Sequence, residues 1–479
     1  MRFLPLIAAL LALAAPVVAA PKLPPPKAKA GKVVAAPAKK RAAPAAAPVA
    51  LAPLPDTPEI AELRRAFRFA FPIYEMQRAR GAQLDRARAA GLPNAVNTLR
   101  PRLTLADAAS RDVTTPNNDT LYGSVWLDLA AGPVVLTMPE LVGRYHSAAL
   151  LSLTTDNTAI IGTRTGGAGG RYAIVGPGFA GTAPEGTQVL RSASNDAWLL
   201  IRVLVDGPKD LDAAAGAMRG FGLELPADRA ASVPTTAPAP ARPDAKAFLT
   251  AVNEGLARSA DAPALQARAA AHAGLGIGTG WATLSPAQQK FWTASLPALI
   301  AELKSGMIDA GDTVTGWSYP RAAIGEFGDD DDLRAFTALG GLGALPRIEA
   351  MYLTARADAV GVPLDGGQAY VATLPPRLPA GAFWSLTMYS SDPDGRQFFV
   401  PNALDRFAVG DRSPQLRSNR NGSYDIFIQT TPPTGERVVN WLPAPPGKFA
   451  LVWRAYLPKP DLLDGSFRLP PVAVSERIE

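Results

Sequence analysis

The apolar side chains of residues 57–81 recur along the chain with the period of an α-helix. Those that are three or four positions apart, and therefore share one face, are Ile60, Leu63, Phe67 and Phe71. Thr57 is a suitable N-cap, Pro58 suits the first turn, and Gly81 is a typical stop signal. We therefore predict a helix that begins after Thr57 and ends near Gly81, with a kink at Pro72.

From about residue 111 to 206 the pattern changes to short apolar runs such as TLYGSVWLDL and DAWLLIRVLVD, which Gly, Pro, Asn and Asp separate. Helical patterns return from about 208 to 360, for example in SPAQQKFWTASLPALIAELKSG. The strand-like runs AFWSLTMYS, SYDIFIQTT and KFALVWRAYLP follow, and the tight-turn sequences DPDG and RNGS lie between them. The pattern predicts an α+β fold with two antiparallel β-sandwich or jelly-roll-like modules joined by a helical middle region.

This organisation divides the chain into six segments. They are a signal peptide at 1–20, a Pro/Ala/Lys-rich disordered linker at 21–56, a helical lead-in at 57–110, an N-terminal β module at 111–207, a helical region at 208–362 and a C-terminal β module at 363–475.

The first segment has the basic start, apolar centre and small-residue end of a secretory leader. A membrane anchor is the alternative, but Pro5 and Pro16 interrupt the apolar run, which is short for a span of about 20 apolar residues. We therefore expect an exported protein in the bacterial periplasm or the medium, with no transmembrane helix after cleavage.

Composition narrows the choice of compartment and partner. The chain has no Cys, which excludes disulfides, a thiolate nucleophile and a Cys-ligated metal. Its net charge of +6 comes from the N-terminal tail, because residues 21–55 hold seven basic residues and no acid. Without those seven and Arg2, the chain has 40 basic residues instead of 48, against 42 acidic ones. A nucleic-acid partner is therefore not predicted, whereas the basic tail could contact an anionic envelope polymer or serve as a spacer.

The longest motifs of the chain resemble two bacterial families. TTPNNDTLYGSVWLDLAAGPVVLTMPE with IIGTRTGGAGGRYAIVGPG resembles domain-of-unknown-function family 1254. AFWSLTMYSSDPDGRQFFVPNALDRFAVGDR with NWLPAPPGKFALVWRAYLPKP is similar to family 1214, its usual C-terminal companion. The resemblance implies an exported or envelope protein with two β-rich domains joined by helices. It implies no catalytic residue, because the family has no accepted reaction.

Metal chemistry has little support in the sequence. The two histidines, His146 and His272, have no metal-ligand spacing, so we predict no metal and no cofactor. Acid–base chemistry then falls to carboxylates, Tyr or Arg. If the chain is an enzyme, we expect a metal-independent hydrolase or lyase.

The strand predicted at residues 120–129 has two chemically different faces, since side chains alternate along a strand. One face is aliphatic, with Leu121, Gly123, Val125, Leu127 and Leu129. The other combines aromatic, hydroxyl and carboxylate groups, on Thr120, Tyr122, Ser124, Trp126 and Asp128. Such a combination suits sugars, which have apolar faces and polar edges. The alternative is that the preceding Pro-Asn-Asn-Asp is only a turn and that helices cover the aromatic face.

Other segments provide further candidates. The loop GTRTGGAGGRY places Arg164 where it could clamp an anion. NALDRFAVGDR contains Asn402 and Arg406 in a cluster of Asp and Arg residues that either fixes a loop or sets the ionisation of a catalytic carboxylate. The candidate catalytic residues are Asp119, Asp128, Tyr122 and Glu326, and the candidate ligand-binding residues are Asn117, Asn118, Trp126, Arg164, Asn402, Arg406 and Trp441.

Two functions fit these observations. In the first, the protein binds, and in its stronger form cleaves, a carbohydrate or similar amphipathic ligand with carboxylates and aromatic platforms. In the second, it is a non-catalytic envelope scaffold whose two modules form a homo-oligomer.

Overall fold

The computed structural model describes residues 52–92, 95–111, 114–226, 237–306, 311–392 and 396–475. These residues belong to one unit, which extends from residue 51 to residue 479. The predicted signal peptide and nearly all of the predicted linker lie outside the described residues, and both stay predictions.

The described residues contain seven α-helices. They are α1 (Pro58–Ala89), α2 (Leu211–Arg219), α3 (Ala245–Arg258), α4 (Pro263–Ala270), α5 (Pro286–Gly306), α6 (Asp331–Gly341) and α7 (Pro460–Leu463). Among them, none combines the length and the apolarity that a bilayer-spanning segment requires.

Helix α1 begins where the sequence predicts and ends later. The Thr57 hydroxyl accepts a hydrogen bond from the backbone N–H of Ile60 at 3.4 Å, as expected of an N-cap. The prediction that Gly81 ends the helix is wrong, because α1 continues for two more turns. Leu84 and Ala87 are buried in those turns, and this packing outweighs the intrinsic cost of about 1 kcal/mol for a helical glycine.

The strands are numbered in chain order. They are β1 (Arg100–Arg102), β2 (Thr120–Asp128), β3 (Val134–Met138), β4 (His146–Ser152), β5 (Asn157–Gly162), β6 (Gly170–Val175), β7 (Gln188–Arg191), β8 (Asp196–Leu204), β9 (Gly222–Glu224), β10 (Gly311–Val314), β11 (Trp317–Pro320), β12 (Ala350–Ala355), β13 (Ala369–Leu374), β14 (Ala380–Ser391), β15 (Gln397–Phe398), β16 (Ala408–Gly410), β17 (Tyr424–Gln429), β18 (Trp441–Pro443), β19 (Phe449–Pro458) and β20 (Ala473–Ser475).

Two sheets occupy the N-terminal part. The first has the order β1-β2-β8-β4-β5 and is antiparallel throughout. The second has the order β7-β6-β3-β9 and is antiparallel except for the parallel pair β6–β7. Both sheets contribute to one hydrophobic cluster, which includes Leu121, Leu136, Ile174 and Leu199.

Two further sheets occupy the C-terminal part. A seven-stranded sheet has the order β10-β11-β12-β19-β14-β15, with β16 also paired to β14. A four-stranded sheet has the order β18-β17-β13-β20. A second hydrophobic cluster takes side chains from both sheets, among them Tyr370, Leu386, Ile426 and Trp453. The chain is therefore mixed α and β with several mainly antiparallel sheets, as predicted.

The segment 208–362, for which the sequence predicts helices, also contributes strands to both parts. Strand β9 joins the N-terminal four-stranded sheet, and β10, β11 and β12 form one side of the seven-stranded sheet. These strands are short and interrupt helical patterns, so periodicity alone gives them little signal.

The N-terminal and C-terminal parts meet where residues next to the five-stranded sheet contact residues of the seven-stranded sheet. The Tyr145 ring, just before β4, lies 5.0 Å from the ring of Tyr456 on β19 and 5.4 Å from that of Phe383 on β14. The Asn117 amide donates to the Tyr456 hydroxyl at 2.9 Å. The segment before β2 is therefore attached to the C-terminal sheet, and polar residues from both parts lie close together there.

Candidate functional site

A cleft of about 490 Å³ opens where the segment before β2 meets the loop after β16. We call it the junction cleft. Its polar lining residues are Asn118, Asp119, Asp405, Arg406, Arg412, Ser413 and Gln415, and its apolar ones include Leu105, Val205, Val409, Leu416 and Val439. The lining therefore offers both hydrogen-bonding groups and apolar surface.

The Arg412 guanidinium lies between two carboxylates beside the cleft. It donates to Asp119 Oδ1 at 2.5 Å and to Asp411 Oδ1 at 2.8 Å, and it lies over the Phe383 ring at 4.3 Å. Asp119 Oδ2 accepts a further hydrogen bond from the Ser385 hydroxyl at 2.6 Å. Asp119 is 5% exposed and Arg412 is half-buried, so this ion pair is better shielded from water than a surface pair.

Asp411 differs from Asp119 in its surroundings. Its side chain is 35% exposed, and burial of the remainder raises its pKa to about 6, in the presence of Asp119 and in spite of the Arg412 cation. The Trp384 backbone N–H donates to Asp411 Oδ2 at 3.2 Å. A carboxyl group with a pKa of about 6 can give or take a proton near neutral pH.

Asn118 and Arg406 also line the cleft, and they differ in whether their polar atoms already have hydrogen-bond partners. Asn118 Oδ1 is buried and has no hydrogen-bond partner among the described residues. The Arg406 Nη1 donates to the backbone carbonyls of Val438 and Trp441 at 2.8 and 2.9 Å, and therefore holds one wall of the cleft in place.

Two family models match the chain, each on one side of this cleft. The model described as protein of unknown function DUF1254 matches residues 96–224, and the model described as protein of unknown function DUF1214 matches residues 349–460. The chain therefore contains a DUF1254 domain followed by a DUF1214 domain. Asp119 lies in the DUF1254 domain, whereas Arg412, Asp411 and Ser385 lie in the DUF1214 domain, so the ion pair joins the two domains.

A solved structure shows a similar fold. The VPA0106 protein from Vibrio parahaemolyticus superposes with a TM-score of 0.66 at 23% identity, over 87% of this chain and 100% of its own. A putative uncharacterized protein from Burkholderia cenocepacia gives a TM-score of 0.42 at 13% identity, over 88% of this chain and 91% of its own. No curated protein matches the chain.

The structure brings three of the candidate residues to the junction cleft: Asn118, Asp119 and Arg406. Asn117 lies directly behind them and has a structural role, because its Oδ1 accepts from the Asp119 backbone N–H at 2.7 Å. Residues 116–119 thus form the Asx turn of the alternative interpretation. The same four residues also supply Asn118 and Asp119, which line the cleft as the ligand-binding interpretation expects.

The aromatic face of β2 is not a ligand platform at Trp126. Its indole is 3% exposed, stacks on Trp198 at 5.0 Å and donates to Gln83 of α1 at 3.0 Å. Helix α1 covers this half of the sheet, so the prediction of an open aromatic face is wrong there. Asp128, at the far end of β2, is half-buried and does not line the cleft.

Tyr122 occupies the other half of the same face. Its ring lies 5.5 Å from the guanidinium of Arg202, which is directly opposite on β8. It does not line the junction cleft and packs instead against the hydrophobic cluster that contains Tyr145 and Tyr456.

The remaining candidates lie apart from the cleft. Arg164 donates to Glu349 at 2.6 Å and so forms another ion pair between domains. Glu326 is exposed in a turn before α6. Trp441 is 7% exposed and its indole donates to the Gln429 carbonyl at 2.8 Å, so the predicted binding rim is a buried part of a sheet. Asn402 binds only neighbouring backbone groups and organises its own loop.

Sequence reasoning identified Asp411 and Arg412 as part of an Asp/Arg cluster but did not connect them to Asp119. The two positions are almost 300 residues apart, and no periodicity links them. Ser385 gave no signal, since a hydroxyl inside an apolar strand is common. No group of three or more His, Asp or Glu residues in the described part of the chain is arranged to hold a metal.

Proposed function

We propose that this DUF1254–DUF1214 protein is an exported protein that binds a carbohydrate or similarly amphipathic ligand in the junction cleft. The single observation that supports this function most is the pair Asp119 and Asp411, which flanks one guanidinium at the edge of a cleft with mixed polar and apolar lining. Trp126 contributes no aromatic platform to this site, because it is buried.

The two carboxyl groups have the different environments that acid–base catalysis uses. Asp411, with a pKa of about 6, is the candidate acid that protonates the leaving oxygen as its bond to carbon breaks. Asp119 is the candidate base that takes a proton from the water whose oxygen forms the new bond to carbon. Cleavage is thus the stronger form of the proposal, and binding alone is the weaker one.

Each family domain, in this proposal, is a two-layered β-sandwich, and the cleft lies between the sandwiches. Hydrophobic clusters shared by two sheets support that architecture in both halves. Export rests on the sequence of residues 1–20 and is tested by N-terminal sequencing of the protein from periplasm and medium.

A glycan array with the purified protein tests the proposal, followed by calorimetry on any ligand retained. We expect Asp411→Asn and Asp119→Asn to weaken binding at least tenfold, while Asp425→Asn, a partly exposed aspartate of β17 outside the cleft, leaves binding unchanged. If the wild-type protein retains no glycan, or if all three variants bind equally well, the proposal is wrong.

For cleavage, the release of reducing ends is the assay. Loss of a general acid lowers rates by roughly 10²- to 10⁴-fold, so Asp411→Asn should do so while thermal unfolding shows that the fold persists. The alternative function, a homo-oligomeric scaffold, stays a prediction that light scattering tests.

A further inference from the structure

A row of polar side chains crosses the face of the five-stranded sheet that points to the DUF1214 domain. Arg202 on β8 is directly opposite Tyr122 on β2 and Ser147 on β4, so the three side chains leave the sheet on the same side. Thr120 lies two residues before Tyr122 and shares this face. The row lies in the interior of the protein, because Arg202 is only 4% exposed.

Arg202 lacks acceptors for part of its guanidinium. Its Nη2 donates to the Gly343 carbonyl at 3.1 Å, but Nε and Nη1 are buried and have no hydrogen-bond partner among the described residues. The face of the Tyr122 ring attracts the cation but accepts no hydrogen bond from these two groups. Thr120 Oγ1, a further donor on the same face, is also buried without a partner.

By contrast, three other arginines of the domain junction have ion-pair or hydrogen-bond partners. Arg164 is paired with Glu349 and Arg412 with Asp119, while Arg454 donates to Thr387 and Tyr389 at 2.8 and 2.6 Å. Both carboxylate oxygens of Glu349 already have partners, because Glu349 also accepts a hydrogen bond from the Tyr145 hydroxyl at 2.7 Å. Among the described residues, no carboxylate forms an ion pair with Arg202.

The groups around Arg202 do not replace the missing anion. Burial raises the pKa of Tyr145, Tyr352 and Tyr456, so these phenols are neutral at physiological pH. The Tyr352 and Tyr456 hydroxyls form a hydrogen bond with each other at 3.1 Å. Tyr122 and Tyr352 are only partly buried, so neighbouring atoms do not cover their side chains completely.

An isolated buried cation is strongly unfavourable unless an anion accompanies it. We propose that Arg202 is the centre of a binding site for a small oxyanion, a carboxylate or a phosphate group, that lies between the two domains. Arg202 Nε and Nη1 donate to the anion, and Thr120 and the phenols of Tyr122 and Tyr352 supply further donors. This site does not depend on the proposed function of the junction cleft, where Arg412 is already paired with Asp119 and Asp411 and Arg406 donates to backbone carbonyls.

Calorimetry and thermal unfolding of the whole protein test the site, with sodium malonate and sodium phosphate as separate probes at constant ionic strength. We expect one of the two to bind at one per chain, and the probe that binds identifies the source of the oxyanion. At a concentration of 100 times its Kd, that probe should lower the unfolding equilibrium constant about 100-fold.

Arg202→Gln should abolish this response, and the conservative Arg202→Lys, which keeps the charge but lacks the planar set of donors, should weaken it at least tenfold. Arg268→Gln, a matched substitution in α4 at a half-buried arginine, should keep the full response, and so should Asp411→Asn beside the junction cleft. Arg202→Lys keeps the test decisive if Arg202→Gln does not fold. Absence of binding by both probes, or an unchanged response in the folded Arg202 variants, would overturn the proposal.

Discussion

Replacing Trp126 by Ala distinguishes a structural role from a ligand-binding role for the aromatic face of β2. The side chain is 3% exposed, so the substitution leaves a cavity in a packed region between the sheet and α1. Truncation of a buried Trp or Phe to Ala costs about 3–5 kcal/mol. The stacked contact with Trp198, with ring planes 8° apart, adds about 1 kcal/mol.

A loss of about 4–6 kcal/mol is large compared with the total of roughly 5–15 kcal/mol that stabilises an ordinary domain. Urea unfolding followed by far-UV circular dichroism is the assay, because this signal does not depend on the tryptophan itself. We expect the midpoint to fall strongly, and ligand binding in the junction cleft to persist under conditions where the variant is folded.

Trp126→Phe is the matched control. It keeps an aromatic ring against Trp198 and loses the hydrogen bond from the indole to Gln83, whose Oε1 still accepts from Ser124 at 2.8 Å. We expect a loss of only about 1–2 kcal/mol. A loss below about 1 kcal/mol in Trp126→Ala, combined with loss of binding, would refute the packing argument and restore Trp126 as a ligand contact.

Three other predictions concern the domain junction. Folding raises the pKa of Asp411 from 3.8 to about 6. The contribution of Asp411 to stability is therefore complete below pH 3.8 and is lost as the pH rises through about 6. Asp411→Asn should remove this pH dependence from unfolding curves measured across that range. Glu349→Ala removes a carboxylate that is 1% exposed and deprives the buried Tyr145 hydroxyl of this acceptor, while the Arg164 cation that remains is exposed to water; urea unfolding should show a loss of about 1–3 kcal/mol, whereas unchanged stability would contradict the structural role of Glu349. In Gly410→Ala the new Cβ would lie 2.4 Å from the Trp384 carbonyl oxygen, so β16 must shift. We expect calorimetry to show a loss of about 1–3 kcal/mol in the free energy of unfolding, together with weaker ligand binding. Wild-type values for both quantities would contradict the cleft geometry.

The sequence by itself determined the start of α1, the strand pattern around β2 and the family. Each depends on neighbouring residues: Thr57 caps the helix through a residue three positions away, and the alternation along residues 120–129 needs only the geometry of one strand. Local patterns also placed Asn118 and Asp119 at the entrance of that strand, where the cleft is found.

Only the tertiary structure decided what covers each half of the second face of β2. Alternation separates the two faces of a strand but says nothing about the element that packs on each. Helix α1 buries Trp126, and the DUF1214 domain buries the half that contains Tyr122, because chain segments distant in sequence meet there. Likewise, only folding brings Asp119 and Arg412 into contact. In the sequence, Arg202 is one charge inside the apolar run DAWLLIRVLVD. Its significance depends on the structure, because no carboxylate of the described residues forms an ion pair with it.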